Sequence, residues 1–242
     1  MTEMRRLRAI VLAVFAVGVL VGTTLIAITV WGDLEASLFN PGIQYDAHLR
    51  TLRCPVIITP NHPGTIHARI KNTLDRSTSM FLRARISEGY VTLFREEKLQ
   101  LPLEPGEAQR VDWTINADDA AYDRLVLFKV GVTGGYPIPA RQATCGVVRI
   151  GIPFLSGGLI YVIALVIGLA GSIGATVFWI RRNPGMLGTE VQLARAMVWL
   201  CGAIVVGIVV SFLGWWVLGI LALVVVLMTI GVTIGYLASR AS

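Results

Sequence analysis

The chain has 242 residues, of which 55% are hydrophobic and 15% charged, whereas about 25% of residues are charged in an average soluble domain. The mean hydropathy of +0.69 excludes an ordinary cytosolic enzyme and indicates that much of the chain lies in lipid. The net charge of +6 does not indicate nucleic acid, because residues 32–152 hold 14 Lys and Arg against 13 Asp and Glu. A nucleic-acid-binding domain would carry a clustered basic face.

The first predicted element is a membrane span at residues 9–31, after a basic cytoplasmic head at residues 1–8. These 23 residues carry no charge, and as a helix they would reach about 34 Å, enough to cross a hydrocarbon core of roughly 30 Å. The run is longer than the apolar region of a cleaved signal peptide, and no Ala-x-Ala site follows it. We therefore predict a signal anchor.

Residues 32–152 have the pattern of an all-β domain. Apolar and polar residues alternate over 65–71, 79–87 and 109–116, and further apolar or alternating runs occur at 56–59, 91–94, 125–132 and 146–150. Pro and Gly turns separate these runs. About seven short strands with turn signals every 8–12 residues are typical of a β-sandwich.

One hairpin of this segment is similar to a known kind of module. The run LPLEPGE at residues 101–107, followed by VDWTI at 111–115, resembles a hairpin of Ig-like adhesion modules and fibronectin-III-like bacterial modules, in which a Pro-Gly turn leads into a strand with an inward Trp. The resemblance covers about 100 of the 242 residues. It implies an Ig-like β-sandwich and assigns no functional residue.

Two cysteines, Cys54 and Cys145, lie at the first and last strands of this domain. A disulfide between them would persist on the oxidising side of a membrane, and closing a loop of about 90 residues would stabilise the fold by roughly 4–5 kcal/mol on the chain-entropy model. We predict this bond, with two buried thiols as the alternative. Cys201 is predicted to be a small apolar residue of a span.

Three further spans follow the outer domain. Residues 153–180 form the second and end at two arginines. The 44 residues from 196 to 239 lack ionised side chains and are too long for one crossing, so they must fold back near Gly214 into spans at 196–212 and 216–238, leaving a tail at 239–242. The loop at 181–195 either forms an interfacial helix or contributes the first turns of the third span.

The arginines outside residues 32–152 predict the orientation. They are Arg5, Arg6, Arg8, Arg181, Arg182, Arg195 and Arg240, and in a four-span topology all of them fall on one side. The positive-inside rule makes that side cytoplasmic. We therefore predict a multi-pass cell-membrane protein with both termini cytoplasmic, four transmembrane α-helices, and one extracytoplasmic all-β Ig-like sandwich inserted between helices 1 and 2.

No residue pattern predicts a catalytic, metal or cofactor site. His48, His62 and His67 lack further ligands at metal-binding spacing. The acidic residues Asp118, Asp119 and Asp123 lack the spacing of a calcium loop. The spans contain no Asp, Glu, Lys, Arg or His, and ion-coupled transporters need such groups in the membrane.

Small residues recur on three of the predicted spans. They are Gly18 and Gly22 in span one, Gly168, Gly171 and Gly174 in span two, and Gly231 and Gly235 in span four. In lipid, such faces let helix backbones approach closely. They pack either this chain's own four helices or the helices of another protein.

Three classes of function remain open. The first is a non-catalytic subunit or scaffold that contacts other integral membrane proteins, together with lipids but not nucleic acid, through its sandwich and its small-residue faces. The second is a receptor or sensor whose outer domain binds a ligand. The third, a transporter component or membrane enzyme, is disfavoured by the uncharged spans.

Overall fold

The structure is a computed structural model that describes residues 2–40, 42–45, 47–134, 136–185 and 188–241. The chain divides into two compact units, one formed by Met1–Val30 with Val162–Ser242 and the other by Trp31–Tyr161. The helices are α1 (Thr2–Leu38), α2 (Gly157–Arg182), α3 (Thr189–Phe212) and α4 (Trp216–Ala241). The strands are β1 (Ala47–His48), β2 (Ile57–Ile58), β3 (Gly64–Lys71), β4 (Thr78–Glu88), β5 (Tyr90–Leu103), β6 (Ala108–Ile115), β7 (Leu125–Thr133) and β8 (Arg141–Arg149).

Among the described residues, four helices are long and apolar enough to cross a membrane, and they lie wholly or mostly in the first unit. This part of the predicted fold is confirmed. The break predicted near Gly214 lies between α3 and α4, where Gly214 has a φ of 74°, a conformation that favours glycine because it has no Cβ. The residues from Glu190 to Arg195 belong to α3, so this part of the loop forms the first turns of the third helix.

One apolar core joins all four helices of this unit. Phe15 of α1, Ala175 and Trp179 of α2, Ile204 of α3 and Val226 of α4 are buried in a single cluster. The buried hydroxyl of Ser172 donates to the Gly168 carbonyl one turn earlier at 2.7 Å. This bond satisfies a polar group that has no water to bind in an apolar interior.

The second unit is built around two sheets that share one core. The larger sheet has the order β1-β8-β7-β4-β5, with β2 also paired to β8, and the smaller sheet pairs β3 with β6. Ile66 and Trp113 of the small sheet and Leu82, Phe128 and Val147 of the large one are buried in the same cluster. The sheets therefore pack face to face, and the alternating runs predicted from the sequence lie in β3, β4 and β6.

The first residues of this unit are helical, which corrects the prediction that residues 32–152 are all β. Helix α1 continues to Leu38, and its residue Ala36, with Phe39, packs against Leu125 and Leu127 of β7 in a second buried cluster. Val126 and Phe128, on the opposite face of β7, belong to the main core. The strand is therefore buried on both faces, and the end of α1 covers the face that points away from β3 and β6.

Two glycines, Gly32 and Gly146, allow the end of α1 to lie directly against the large sheet. A Cβ added to Gly32 of α1 would lie 3.1 Å from the carbonyl oxygen of Gly146 in β8, and a Cβ added to Gly146 would overlap the backbone of Gly32. The two backbones thus touch directly, which larger residues would prevent. A disulfide joins Cys54 to Cys145 of β8 across the same unit, and Cys201 of α3 is a free thiol.

Candidate functional site

The glycines of α1 and α2 form a direct backbone contact between these helices. A Cβ added to Gly171 would lie 3.1 Å from the Cα of Gly18, and one added to Gly168 would lie 3.2 Å from the Cα of Gly22. On its other side, a Cβ at Gly22 would lie 2.8 Å from the Cγ2 of Ile204 in α3. The face carrying Gly18 and Gly22 is therefore filled by helices of the same chain.

The remaining predicted packing glycines have a different environment. No atom of the described residues outside the helix's own backbone lies within 4 Å of a Cβ added to Gly174, Gly231 or Gly235. Helix α4 is also the least covered of the four. In its most apolar 18-residue stretch 17% is buried within the chain, whereas the corresponding share is 22–28% in the other three helices. The Gly231–Gly235 face thus has no partner among the residues that the structure describes.

Arg8 joins three helices at the end of the bundle that carries the N-terminus. Its guanidinium donates to Glu190 of α3 at 2.9 Å and to the side chain of Asn183 at 3.4 Å, and it lies 5.9 Å from the ring centroid of Trp179 in α2. Four other predicted orientation residues are exposed, namely Arg6, Arg181, Arg182 and Arg195. The side chains of the remaining two, Arg5 and Arg240, lie outside the described part of the chain.

The histidines and acidic residues considered for metal binding do not come together. Within the described ranges, no three His, Cys, Asp or Glu side chains are grouped so as to hold a metal ion. His62 contacts the hydroxyl of Thr59 at 3.2 Å. Asp119 accepts from the backbone N–H of Asn116 at 2.7 Å and pairs with Arg95 at 3.0 Å, so it caps a short 3₁₀ helix.

A group of charged residues, not anticipated from the sequence, lies on the outer face of the large sheet. Arg83 Nε and Lys98 Nζ lie 2.5 Å and 3.4 Å from Glu96 Oε1, and Arg85 Nε lies 3.1 Å from Glu96 Oε2. The hydrogen bond from Arg83, reinforced by that from Arg85, lowers the pKa of Glu96 to about 2. Lys129 of β7 donates to the Phe39 carbonyl at 3.2 Å. Burial, and then the nearby charge of Arg85, lowers the pKa of Lys129.

In the sequence, Arg83 and Arg85 fall on the polar side of the alternating run at 79–87, and no prediction was made for Glu96 or Lys98. The one local signal was Lys129, a cation in the middle of the apolar run at 125–132. Its neighbours come from β4 and β5, and Arg85 lies directly opposite Lys129 in the strand pairing. Their meeting depends on the strand order, which the alternation alone does not specify.

A groove of about 600 Å³ opens beside these charges. Arg83 and Lys98 line it, together with aromatic, amide and hydroxyl side chains: Tyr45, Phe81, Gln100 and Thr133. Phe81 is 54% exposed. No carboxylate of the described residues lines the groove.

No protein-family model matches the chain, and no curated protein matches it. One similar solved structure is the CARDB domain of a Pyrococcus furiosus protein in complex with di-metal ions, with 13% identity and a TM-score of 0.33 over 42% of this chain and 90% of that chain. A Bacteroides uniformis β-glucuronidase shares 13% identity at a TM-score of 0.31, over 40% of this chain and 12% of that chain. A Listeria innocua β-glucosidase in complex with glucose shares 15% identity at a TM-score of 0.29, over 42% of this chain and 15% of that chain. The chain therefore spans only about an eighth to a seventh of the length of these two glycosidases, and the description of two packed sheets rests on the strand pairing and the shared core.

Proposed function

We propose that this chain is a non-catalytic, membrane-embedded subunit or scaffold that binds another integral membrane protein through the glycine face of α4. An Ig-like outer domain provides a second contact surface. In this proposal the four helices cross the cell membrane, both termini are cytoplasmic, and the sandwich is extracytoplasmic. The exposed arginines at the helix ends and the Cys54–Cys145 disulfide support this orientation.

The contrast between the two GxxxG faces carries the proposal. Helices α2 and α3 pack against Gly18 and Gly22, whereas no described residue lies within 4 Å of a Cβ added to Gly231 or Gly235. Lipid supplies no hydrophobic driving force between helices, so close packing at small residues is a main source of association in the bilayer. An open face of this kind on the least covered helix is suited to a partner helix.

Substitution of the α4 face tests this function. The double variant Gly231→Leu, Gly235→Leu should insert and form the Cys54–Cys145 bond, because no atom of the described residues lies within 4 Å of a Cβ added at either position. It should lose the proteins that co-purify stoichiometrically with the natural chain in mild detergent, identified by mass spectrometry. Gly202→Leu is the matched control, because Gly202 is also a helical glycine whose added Cβ would meet no described residue within 4 Å, and it lies outside the GxxxG pair. A double variant that keeps the same partners in the same ratio would refute the proposal.

The orientation is tested separately by cysteine labelling. Single cysteines at Thr133 and at Ser242, in a chain whose natural cysteines are replaced, should react with a membrane-impermeant reagent from opposite sides of the membrane. Labelling of both positions from the same side would contradict the proposed topology.

A further inference from the structure

On the outer face of the large sheet, a group of four cationic side chains forms ion pairs with a single carboxylate among the described residues. Lys129 lies directly opposite Arg85, and Arg83 lies directly opposite Lys98, although like charges at such positions destabilise a sheet. Glu96 pairs with three of these four cations. Among the described residues no second carboxylate forms an ion pair with this group. We call these four cations the cationic cluster.

Two members of the cationic cluster face the groove. Arg83 and Lys98 both line it, with side chains that are 44% and 74% exposed. Arg83 contacts Glu96 through Nε, and no described residue accepts from its two Nη groups. A guanidinium presents a planar fork of donors that matches a carboxylate or phosphate, and an ammonium adds a compact positive charge. The groove therefore offers the chemistry of an anion site.

The rest of the lining indicates the kind of molecule that carries the anion. The Tyr45 ring lies over Gly131, since a Cβ added there would be 2.7 Å from the Tyr45 Cε2 atom. The exposed ring of Phe81, the amide of Gln100 and the hydroxyl of Thr133 also line the groove, together with Leu82 and Leu99. Aromatic rings with a few neutral hydrogen-bonding groups form a surface on which a ligand ring packs and is oriented.

We propose that this groove binds an acidic glycan, with a sugar ring on Phe81 and Tyr45 and its acidic group against Arg83 and Lys98. The groove is open to solvent rather than enclosed, so a polymer chain can lie along it. Single-stranded nucleic acid also binds aromatic and basic side chains. That ligand is disfavoured because residues 32–152 hold 14 cationic against 13 acidic residues, whereas a nucleic-acid site usually extends as a basic stripe.

The binding test uses the full chain in nanodiscs of zwitterionic phosphatidylcholine, so that the lipid contributes no net charge. The probe is oligogalacturonate, and the comparison ligands are neutral dextran, poly-L-glutamate and oligo(dT). Isothermal titration calorimetry should show binding of oligogalacturonate that weakens as salt rises, because exposed charges are screened. Dextran should not bind, and the two other polyanions should bind at least tenfold more weakly.

Three variants assign that binding to the groove. Lys98→Glu should weaken oligogalacturonate binding by about tenfold or more, the effect of one charge-assisted contact. Phe81→Ala should weaken it by about threefold to tenfold, the range expected for a ring contact, without changing the charge. The exposed Arg124→Glu, which lies outside the groove, is the matched control and should leave the affinity unchanged. The Cys54–Cys145 bond, followed on non-reducing gels, verifies that each variant is folded.

Specific results would overturn the proposal. Equal affinity for poly-L-glutamate and oligogalacturonate, with no effect of Phe81→Ala, would make the groove a site for acidic peptides. Preferred binding of oligo(dT) would make it a nucleic-acid site. Absence of oligogalacturonate binding, or full binding by Lys98→Glu, would also exclude the glycan. None of these results bears on the proposed role of α4, because the groove and the Gly231–Gly235 face share no residue.

Discussion

Replacing single glycines by alanine in α1 and α4 should give effects of opposite sign on the stability of the helical unit. At Gly18 the new Cβ would lie 2.8 Å from the carbonyl carbon of Gly171 and would overlap the backbone nitrogen of Ser172. Both obstacles are backbone atoms, so α1 and α2 must separate. At Gly231 the Cβ would meet no described neighbour within 4 Å.

The magnitude follows from this difference in contacts. Alanine gains up to about 1 kcal/mol over glycine inside a helix through backbone entropy, and this gain applies equally at both positions. Overpacking a close contact costs about 1–3 kcal/mol, because a gap of even 0.5–1 Å forfeits a quarter to a half of each neighbouring dispersion contact. The free energy of unfolding of Gly18→Ala should therefore lie about 1–3 kcal/mol below that of Gly231→Ala.

The assay is unfolding of the purified chain from mild detergent by titration with sodium dodecyl sulfate, followed by tryptophan fluorescence. Trp179, buried in the core of the bundle, contributes a signal from the helical unit, and Trp113, buried in the sandwich core, contributes one from the other unit. Gly202→Ala serves as a second open-site control, since a Cβ added there meets no described residue within 4 Å. Equal unfolding free energies for Gly18→Ala and Gly231→Ala, within about 0.5 kcal/mol, would show that α1 and α2 do not meet at Gly18 and Gly171.

Three further predictions concern the sandwich. Replacing Cys54 and Cys145 together by serine should lower the unfolding free energy of the sandwich by up to about 4–5 kcal/mol on the chain-entropy model, because the bond joins residues 91 positions apart. Identical denaturant midpoints with and without reductant in the natural chain would contradict this prediction. Because the pKa of Glu96 falls from 4.5 to about 2 on folding, its pairing stabilises the fold above pH 4.5, and this contribution is lost as the pH falls to about 2. The pH dependence of unfolding over this range should be flatter in Glu96→Gln, and an unchanged slope would exclude the pairing. Asn72→Ala should lower the free energy of unfolding by about 1–3 kcal/mol, because the buried amide of Asn72 donates to the Leu103 and Glu104 carbonyls at 3.1 Å each. A loss of stability no larger than that of the exposed control Asn61→Ala in thermal unfolding would refute the role of this amide.

The long helices and several strands could be predicted from the sequence because their signals are local. An uncharged run of about 20 residues has the length to cross a bilayer whatever its neighbours are, and the structure contains the four helices. In β3 and β6, apolar side chains alternate because successive residues of a strand point to opposite faces. The turn at Gly214 was likewise indicated by the length limit on a single span.

Other features depended on tertiary structure because they join residues far apart in the chain. The two GxxxG pairs have the same spacing, and only the packing of α2 and α3 distinguishes the filled face at Gly18 from the open face at Gly231. Helix α1 continues to Leu38 because β7 presents an apolar side chain, Leu127, on the face opposite the main core. The groove brings together Tyr45, Lys98 and residues of two other strands. Alternation predicts that such side chains point outward, whereas the strand order and register, which the sequence pattern does not specify, decide which of them meet.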